Sequence, residues 1–269
     1  MPRPSACLTV LALVAAAPAA AQDAPVPSQC VAIAEALPKA IFASFTPVQA
    51  TTPGEVTITY AGHSTYLIDT PSGLRIATDF SGLYGGDPLP DIVTMNRAHS
   101  SHFTLAPDPG IAHVLPGWGE TPGEPARHAL LVDDAYVRNV PTDIRSWEGG
   151  LMEGGNSIFV FEIAGLCIGH LGHLHHRLEN EHYGAIGRLD IVMVPVDGGL
   201  TMSLAGMSEI TDRLQSSIVL PMHRFRTPIA DFVAGLGEDF AVEYRASRSF
   251  TVSLRSLPSQ PTVLILEGV

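Results

Sequence analysis

The chain has 269 residues, 46% of them apolar and 16% charged, with a formal net charge of −12. The apolar share supports a substantial core and argues against broad disorder, and the length suits one large domain or two small ones. The acidic balance repels phosphate backbones and no basic stripe is present, so nucleic-acid binding is not expected, whereas a small-molecule substrate is compatible with it.

The chain opens MPRPSACLTVLALVAAAPAAAQDAP. Arg3 supplies a small basic start, Cys7 to Ala17 an apolar stretch, and Ala19-Ala20-Ala21 a small-residue cleavage signal. This predicts a signal peptide over residues 1–21, cut near Ala21 or Gln22, and an exported protein, periplasmic or secreted. The apolar run is short for a membrane span, and an uncleaved anchor is the alternative. Cleavage removes Arg3 and leaves the remainder one unit more negative. It also removes Cys7, leaving Cys30 and Cys167, either joined in an oxidising compartment or both free.

Residues 22–53 form a Pro/Ala-rich lead-in with one short helix expected around Val31 to Phe42, and a single domain is expected over 54–269. VTITYAG, STYLIDT and LRIATDF are β-rich, with a turn at Pro71-Ser72-Gly73, and predict a meander. DIVTM is a short buried strand, and residues 104 to 128 are loop-rich. ALLVDDAYVRNVPTDI holds one or two strands, and Trp147 to Asn156 is glycine-rich and predicts a mobile loop. SIFVFEIAG and LCIGHLG form a hairpin around Ala164-Gly165. Beyond His176 the pattern changes to a short helix over Asn180 to Ile186, a buried strand LDIVMVPV, a helix carrying Leu204, Met207, Ile210 and Leu214, and a strand SIVLPM. Thr227 is placed to cap a helix with Pro228 first, an apolar face from Ile229 to Leu236, and Gly237 at its end. FTVSLRS and TVLILEG are late strands. Strands first, then alternating helices and strands, suggest packed sheets with helices outside.

Three separated strand ends deliver histidine. His99 and His102 follow DIVTM, His170 and His173 lie in GHLGHLHH, and His223 follows SIVLPM. Imidazole is the commonest protein ligand for zinc-like ions, so the pattern points to one convergent metal site. In GHLGHL, Gly172 would let the backbone approach a cofactor closely. His175 and His176 read as an exposed polar turn, and His113, His128 and His182 as ordinary surface or structural residues. His63, Asp79 and Asp197 also sit at strand ends; the two carboxylates are placed to orient a ligating imidazole or act as a base, or else cap turns.

The order TITYAGHSTYLI, LRIATDF, DIVTMNRAHSSHF, NSIFVFEIAGLCIGHLGHL, LDIVMVPVDGG, IVLPMHR resembles the metallo-β-lactamase superfamily over about Val56 to Phe225. The likeness is strongest to its compact single-domain hydrolases, a group that includes lactone-hydrolysing enzymes. It implies an α/β fold, a four-layer αβ/βα sandwich with the metal site at one edge of the paired sheets. Members carry H-x-H-x-D-H after the strand, where this chain has Arg97 at the first His, His99 and His102 at the second and last, and Ser101 at the Asp. His173 falls where members have a bridging Asp, His223 matches the final His, and a further family His should fall near Ser146-Trp147. The degenerate motif implies one divalent ion, zinc first, held by His102, His173 and His223 with His99 as a possible fourth ligand. Water on such an ion has a pKa near 7 and could attack a lactone or ester, less readily an amide or phosphodiester. Ser101 would hydrogen-bond the water and Arg97 would hold a substrate carboxylate or the developing oxyanion, unless Arg97 only fills space. The rival is a non-catalytic metal- or ligand-binding protein on the same scaffold.

Overall fold

A computed structural model describes residues 28–31, 54–146 and 149–269. In β1 (Val56–Gly62) buried and partly exposed residues alternate, as a strand with one face on a core requires. β2 (Thr65–Asp69), β3 (Arg75–Ala77), β4 (Ile92–Met95) and β5 (His113–Pro116) follow. Then come β6 (Ala129–Val132), β7 (Ala135–Arg145), β8 (Leu151–Ile163) and β9 (Leu166–His170). The second half runs α1 (Asn180–Ile186), β10 (Ile191–Pro195), α2 (Leu204–Leu214), β11 (Ile218–Met222), α3 (Ile229–Ala234), β12 (Ala241–Tyr244), β13 (Ser249–Val252) and β14 (Thr262–Ile265).

These strands make a six-stranded sheet, β13-β1-β2-β3-β4-β5, and an eight-stranded sheet, β12-β14-β11-β10-β9-β8-β7-β6. The mixed α/β fold with two packed sheets is the expected one. All five residues of β10 are buried. Ile191 and Met193 join Ile58, Tyr66, Phe161 and Leu220 between the sheets, while Val192 and Val194 face a second core under the helices. Burial on both faces explains why this parallel strand reads as an unbroken apolar run. Met207 and Ile210 of α2 and Phe232 of α3 close that second core. The outer face of the six-stranded sheet is covered by Phe80, Phe103, Ile111 and Trp118 from connecting segments. Among the described residues, therefore, all three helices serve the eight-stranded sheet. None of them is long and apolar enough to cross a membrane.

Several expectations are corrected. The glycine-rich stretch before Asn156 is strand from Leu151 onward, paired Arg145↔Leu151 and Ile144↔Met152. A register shift between Thr142 and Ile144 accommodates Gly154, whose left-handed backbone (φ 60°) points its N–H at Asp143 Oδ1, 3.0 Å away. β5 forms inside the loop-rich stretch, because it adds in parallel to β4. β12, also unforeseen, borrows its order from β14. α3 starts after Pro228 and ends at Gly235, two residues before Gly237; Thr227 does not cap it, because its hydroxyl donates to the Asp197 carbonyl. The helix expected around Val31 to Phe42 lies outside the described residues beyond Val31.

Cys30 and Cys167 form a disulfide. Beside it, Ser28 Oγ and the Gln29 N–H donate to Glu162, which also pairs with buried Arg138 at 2.8 Å. The lead-in is thus tied to β8 and β9 by one covalent bond and a satisfied buried charge.

Candidate metal centre

The carboxyl ends of β4, β9, β10 and β11 open at one edge of the sheets, the usual place for ligand sites in parallel α/β structures. His63 joins them from the end of β1, because the His223 N–H donates to the His63 carbonyl at 2.8 Å. One nitrogen each from His63, His99, His102 and His223 lies within 4.8 Å of the others. The His173 ring stands 4.7 Å from His102, 4.8 Å from His223 and 5.1 Å from His99, between centroids. Three of the four histidines expected as ligands, His99, His102 and His223, thus share that set with His63, while the ring of the fourth, His173, packs beside them and is not part of it.

The far ring nitrogens decide what each imidazole can do. His102 Nδ1 lies 2.8 Å from Asp79 Oδ2, and His223 Nδ1 lies 2.9 Å from Asp197 Oδ2. An ionised carboxylate only accepts, so both Nδ1 atoms carry hydrogen and both Nε2 atoms keep a lone pair. His223 Nε2 is buried with no hydrogen-bond partner among the described residues. His102 Nε2 faces His63 Nε2 at 3.2 Å. Converging imidazole lone pairs backed by carboxylates are the donor set a divalent cation needs, and a buried nitrogen without a partner is costly unless something fills its place. The residues present fit a metal ion.

The supporting shell is largely satisfied. Asn96 Nδ2 donates to Asp79 Oδ1, while Asn96 Oδ1 accepts the Ser157 N–H, each at 2.8 Å. Asn156 Oδ1 accepts the His173 N–H at 2.8 Å. A Cβ on Gly172 would meet Asn96 Nδ2 at 2.4 Å and Asn156 Oδ1 at 2.7 Å. Gly172 is thus required by two buried amides, where the sequence suggested a close approach to a cofactor. Asp197 accepts N–H groups of Gly199 and Thr201, each at 2.9 Å, and the Thr201 hydroxyl. His63, Asp79 and His223 hold φ of 54°, 44° and 51°, a left-handed backbone that costs non-glycine residues on the order of 1–3 kcal/mol each. Such strain gathers at functional sites.

Burial, then the neighbouring histidines, hold the His63 pKa down at about 3 and that of His99 at about 4, with His173 lower still. These rings are neutral near pH 7, the state that ligates. Burial alone would raise Asp79, but His170 and His102 beside it and the hydrogen bonds from His102 and Asn96 bring it below the usual carboxylate range. Burial likewise opposes ionisation of Asp197, and hydrogen bonds from His223, Thr201 and the 199–201 backbone outweigh it.

Other predicted residues are placed differently. Ser101 Oγ lies 2.8 Å from His99 Nδ1, two residues away in the same turn. Arg97 is exposed, and its guanidinium hydrogen-bonds none of the described residues. His170 is spent on structure: its Nδ1 accepts the Gly172 N–H and its Nε2 meets the Ser64 carbonyl at 2.9 Å. His175 and His176 are not an exposed turn; their rings accept backbone N–H groups of Arg145 and Asp143. His128 donates to the Pro116 carbonyl, and His182 caps α1 together with Glu179. Of the family position near Ser146-Trp147, Trp147 lies outside the described residues, and Ser146 lines the cleft.

A cleft of about 200 Å³ adjoins the cluster, walled by Ala98, Ile144, Arg145 and Leu200 and floored by His99 and His173. A second cavity, about 280 Å³, lies between Ile218, Phe250 and Leu264. Ile218 begins β11 and His223 follows its end, so this larger cavity sits at the opposite end of the strands and is remote from the chemistry.

Residues 57–223 match the model of the β-lactamase superfamily domain. A protein named as a UPF0173 metal-dependent hydrolase, from Salinibacter ruber, is 24% identical over 188 residues, covering 62% of this chain and 83% of its own. A Thermotoga maritima structure, described by its name as a Zn-dependent hydrolase of the metallo-β-lactamase superfamily, is 26% identical with a TM-score of 0.53, over 78% of this chain and 98% of its own. A metallo hydrolase from Ignicoccus hospitalis shares the fold at 21% identity and a TM-score of 0.50, over 74% and 98%. With a matching domain model over most of its length and a histidine cluster at the expected sheet edge, the chain belongs to the metallo-β-lactamase superfamily of metal-dependent hydrolases.

Proposed function

We propose that this protein is an exported metal-dependent hydrolase of small carbonyl substrates, a lactone or other ester ahead of an amide or a phosphodiester, with one zinc-like ion. One observation carries the reading: His102 and His223 each give Nδ1–H to a buried carboxylate, which leaves two Nε2 lone pairs facing one cluster. His63 and His99 complete the set that would hold the ion. When bound, such an ion supplies Lewis-acid polarisation of a carbonyl and activation of water. The chain's own residues do the rest. Asp79 and Asp197 fix the ring tautomers. Ala98, Ile144 and Leu200 give the cleft apolar walls that exclude bulk water around a small acyl group. At about 200 Å³ the cleft is below the usual span for drug-sized ligands, which favours a small substrate. Arg145, pinned by its side chain to the Gly199 carbonyl, forms a polar rim. Export is supported by the leader pattern and by the Cys30–Cys167 disulfide, a bond of oxidising compartments.

The test is metal analysis of untagged protein, followed by a panel of lactones, aryl esters, nitrocefin and bis-p-nitrophenyl phosphate. About one zinc, manganese or iron per chain is expected, with lactone or ester turnover that a chelator removes and metal restores. Absence of metal under every loading condition would end the proposal. Metal without turnover would favour the non-catalytic rival, which Arg97 and Ser101 at two family ligand positions already recommend.

A further inference from the structure

His173 Nδ1 lies 2.7 Å from His175 Nε2, and His175 Nδ1 accepts the Arg145 backbone N–H at 2.5 Å. A backbone N–H can only donate, so neutral His175 has its lone pair on Nδ1 and its hydrogen on Nε2. A hydrogen on His173 Nδ1 would collide with that one across 2.7 Å. His173 Nδ1 must therefore accept, and the single hydrogen of a neutral His173 ring falls on Nε2. Neither ring has room for a second hydrogen, because each Nδ1 is taken up as an acceptor. His173 Nε2 is buried and has no hydrogen-bond partner among the described residues. Its ring packs edge-on against His102 and His223 and lines the cleft. It thus has the opposite tautomer from the two carboxylate-backed histidines, although the three rings pack against one another.

We propose that His173 serves this site as an N–H donor to an anionic oxygen of the bound substrate, in place of acting as a lone-pair ligand, with His175 as the positioning residue that sets its tautomer. The proposal rests on the hydrolase reading above. Ligation through His173 Nε2 would require both rings to switch tautomer and the Arg145 N–H to lose its acceptor. A buried N–H without a partner, on a ring that lines the cleft, is instead suited to the charge that develops on a substrate oxygen.

The test begins with long-range ¹⁵N–¹H spectra of the histidine rings in the metal-free full chain. Expected is hydrogen on Nε2 of His173 and on Nδ1 of His102 and His223. Hydrogen on Nδ1 of His173 would overturn the assignment. His175→Ala should shift His173 toward a tautomer mixture; an unchanged spectrum would remove the positioning role. Zinc affinity, measured by chelator competition, should change less than about threefold in His173→Ala, below the 10- to 100-fold that even an orienting partner costs. A larger loss would return His173 to the ligand set. On zinc-loaded protein, acetate serves as the oxyanion probe: His173→Ala should weaken its binding about tenfold or more, the scale of a hydrogen bond to charge, and His173→Gln, which restores an N–H, should recover most of it. Equal acetate binding by wild type and His173→Ala would refute the donor role. If the wild type takes up no zinc, the hydrolase reading fails, while the metal-free spectra still decide the tautomer.

Discussion

Two pairs of histidines share one cluster and differ in what stands behind them. His102 and His223 lean on buried carboxylates, whereas His173 leans on another imidazole and His99 on the Ser101 hydroxyl. A carboxylate can only accept, so it dictates which ring nitrogen keeps a lone pair; a hydroxyl dictates nothing, and an imidazole passes on whatever its own far side imposes. The same side chain, at similar strand ends, therefore has its Nε2 lone pair fixed in the first pair, whereas in the second His99 can present either nitrogen and the His173 tautomer is set by a neighbouring ring. The comparison teaches that proximity of rings does not define a metal site until the outer hydrogen bonds are traced.

The comparison breaks most directly by truncation. His102→Ala or His223→Ala should lower zinc affinity by more than about 100-fold, beyond the cost of losing an orienting partner; binding assays that find either variant close to wild type would contradict the assigned ligands. Next in size, Asp79→Asn and Asp197→Asn should each cost about 10- to 100-fold in affinity. Asn tolerates the left-handed backbone of Asp79, so that variant removes the charge and one of two acceptors without straining the chain. Asp197→Asn should also lower stability by about 1–3 kcal/mol in denaturant titrations, because an amide cannot accept from His223 and the 199–201 backbone together.

Acid provides a third probe, on metal-free protein. His63 and His99 have folded pKa values of about 3 and about 4, below the ordinary 6.5. Between those values and 6.5 the unfolded chain binds more protons than the folded one, so stability is full above 6.5 and falls as the pH drops toward 4 and 3. The unfolding midpoint should decline across that window, less steeply in His63→Gln; a flat profile would mean that the folded rings titrate no lower than the unfolded ones. The smallest effects are expected at the sequence-derived positions outside the cluster. Arg97→Ala should change stability by no more than about 0.5 kcal/mol, since the side chain is exposed, and should leave zinc affinity unaltered. Ser101→Ala should change zinc affinity only a few-fold, since His99 keeps its place at the cluster without that hydroxyl.

Much of the fold was legible because it is local. β4, β10 and β11 are short apolar runs bounded by turn residues, and α1 and α2 lie where periodicity put them. What escaped was order borrowed from neighbours. The Leu151–Asn156 stretch has the glycines of a loop, yet β7 supplies it with a pairing partner. His63 stands at a strand end, but a lone histidine after β1 has no spacing signal that marks it as a ligand; the one clue is that it follows a strand, as His99 and His223 follow theirs. Its convergence depends on β1 and β11 ending side by side, on different sheets.

Sequence alone determined that separate strand ends would present imidazoles at one edge, because the apolar runs that must be buried are followed directly by His99, His102, His173 or His223. Tertiary structure alone decided that Arg97 turns outward, that Asp79 and Asp197 stand behind particular rings, and that His175 stands behind another. The physical reason is that burial patterns are encoded residue by residue along the chain. For His102 and His223 the hydrogen that the ring carries is instead set by a carboxylate 23 and 26 residues away, which only packing brings within 3 Å.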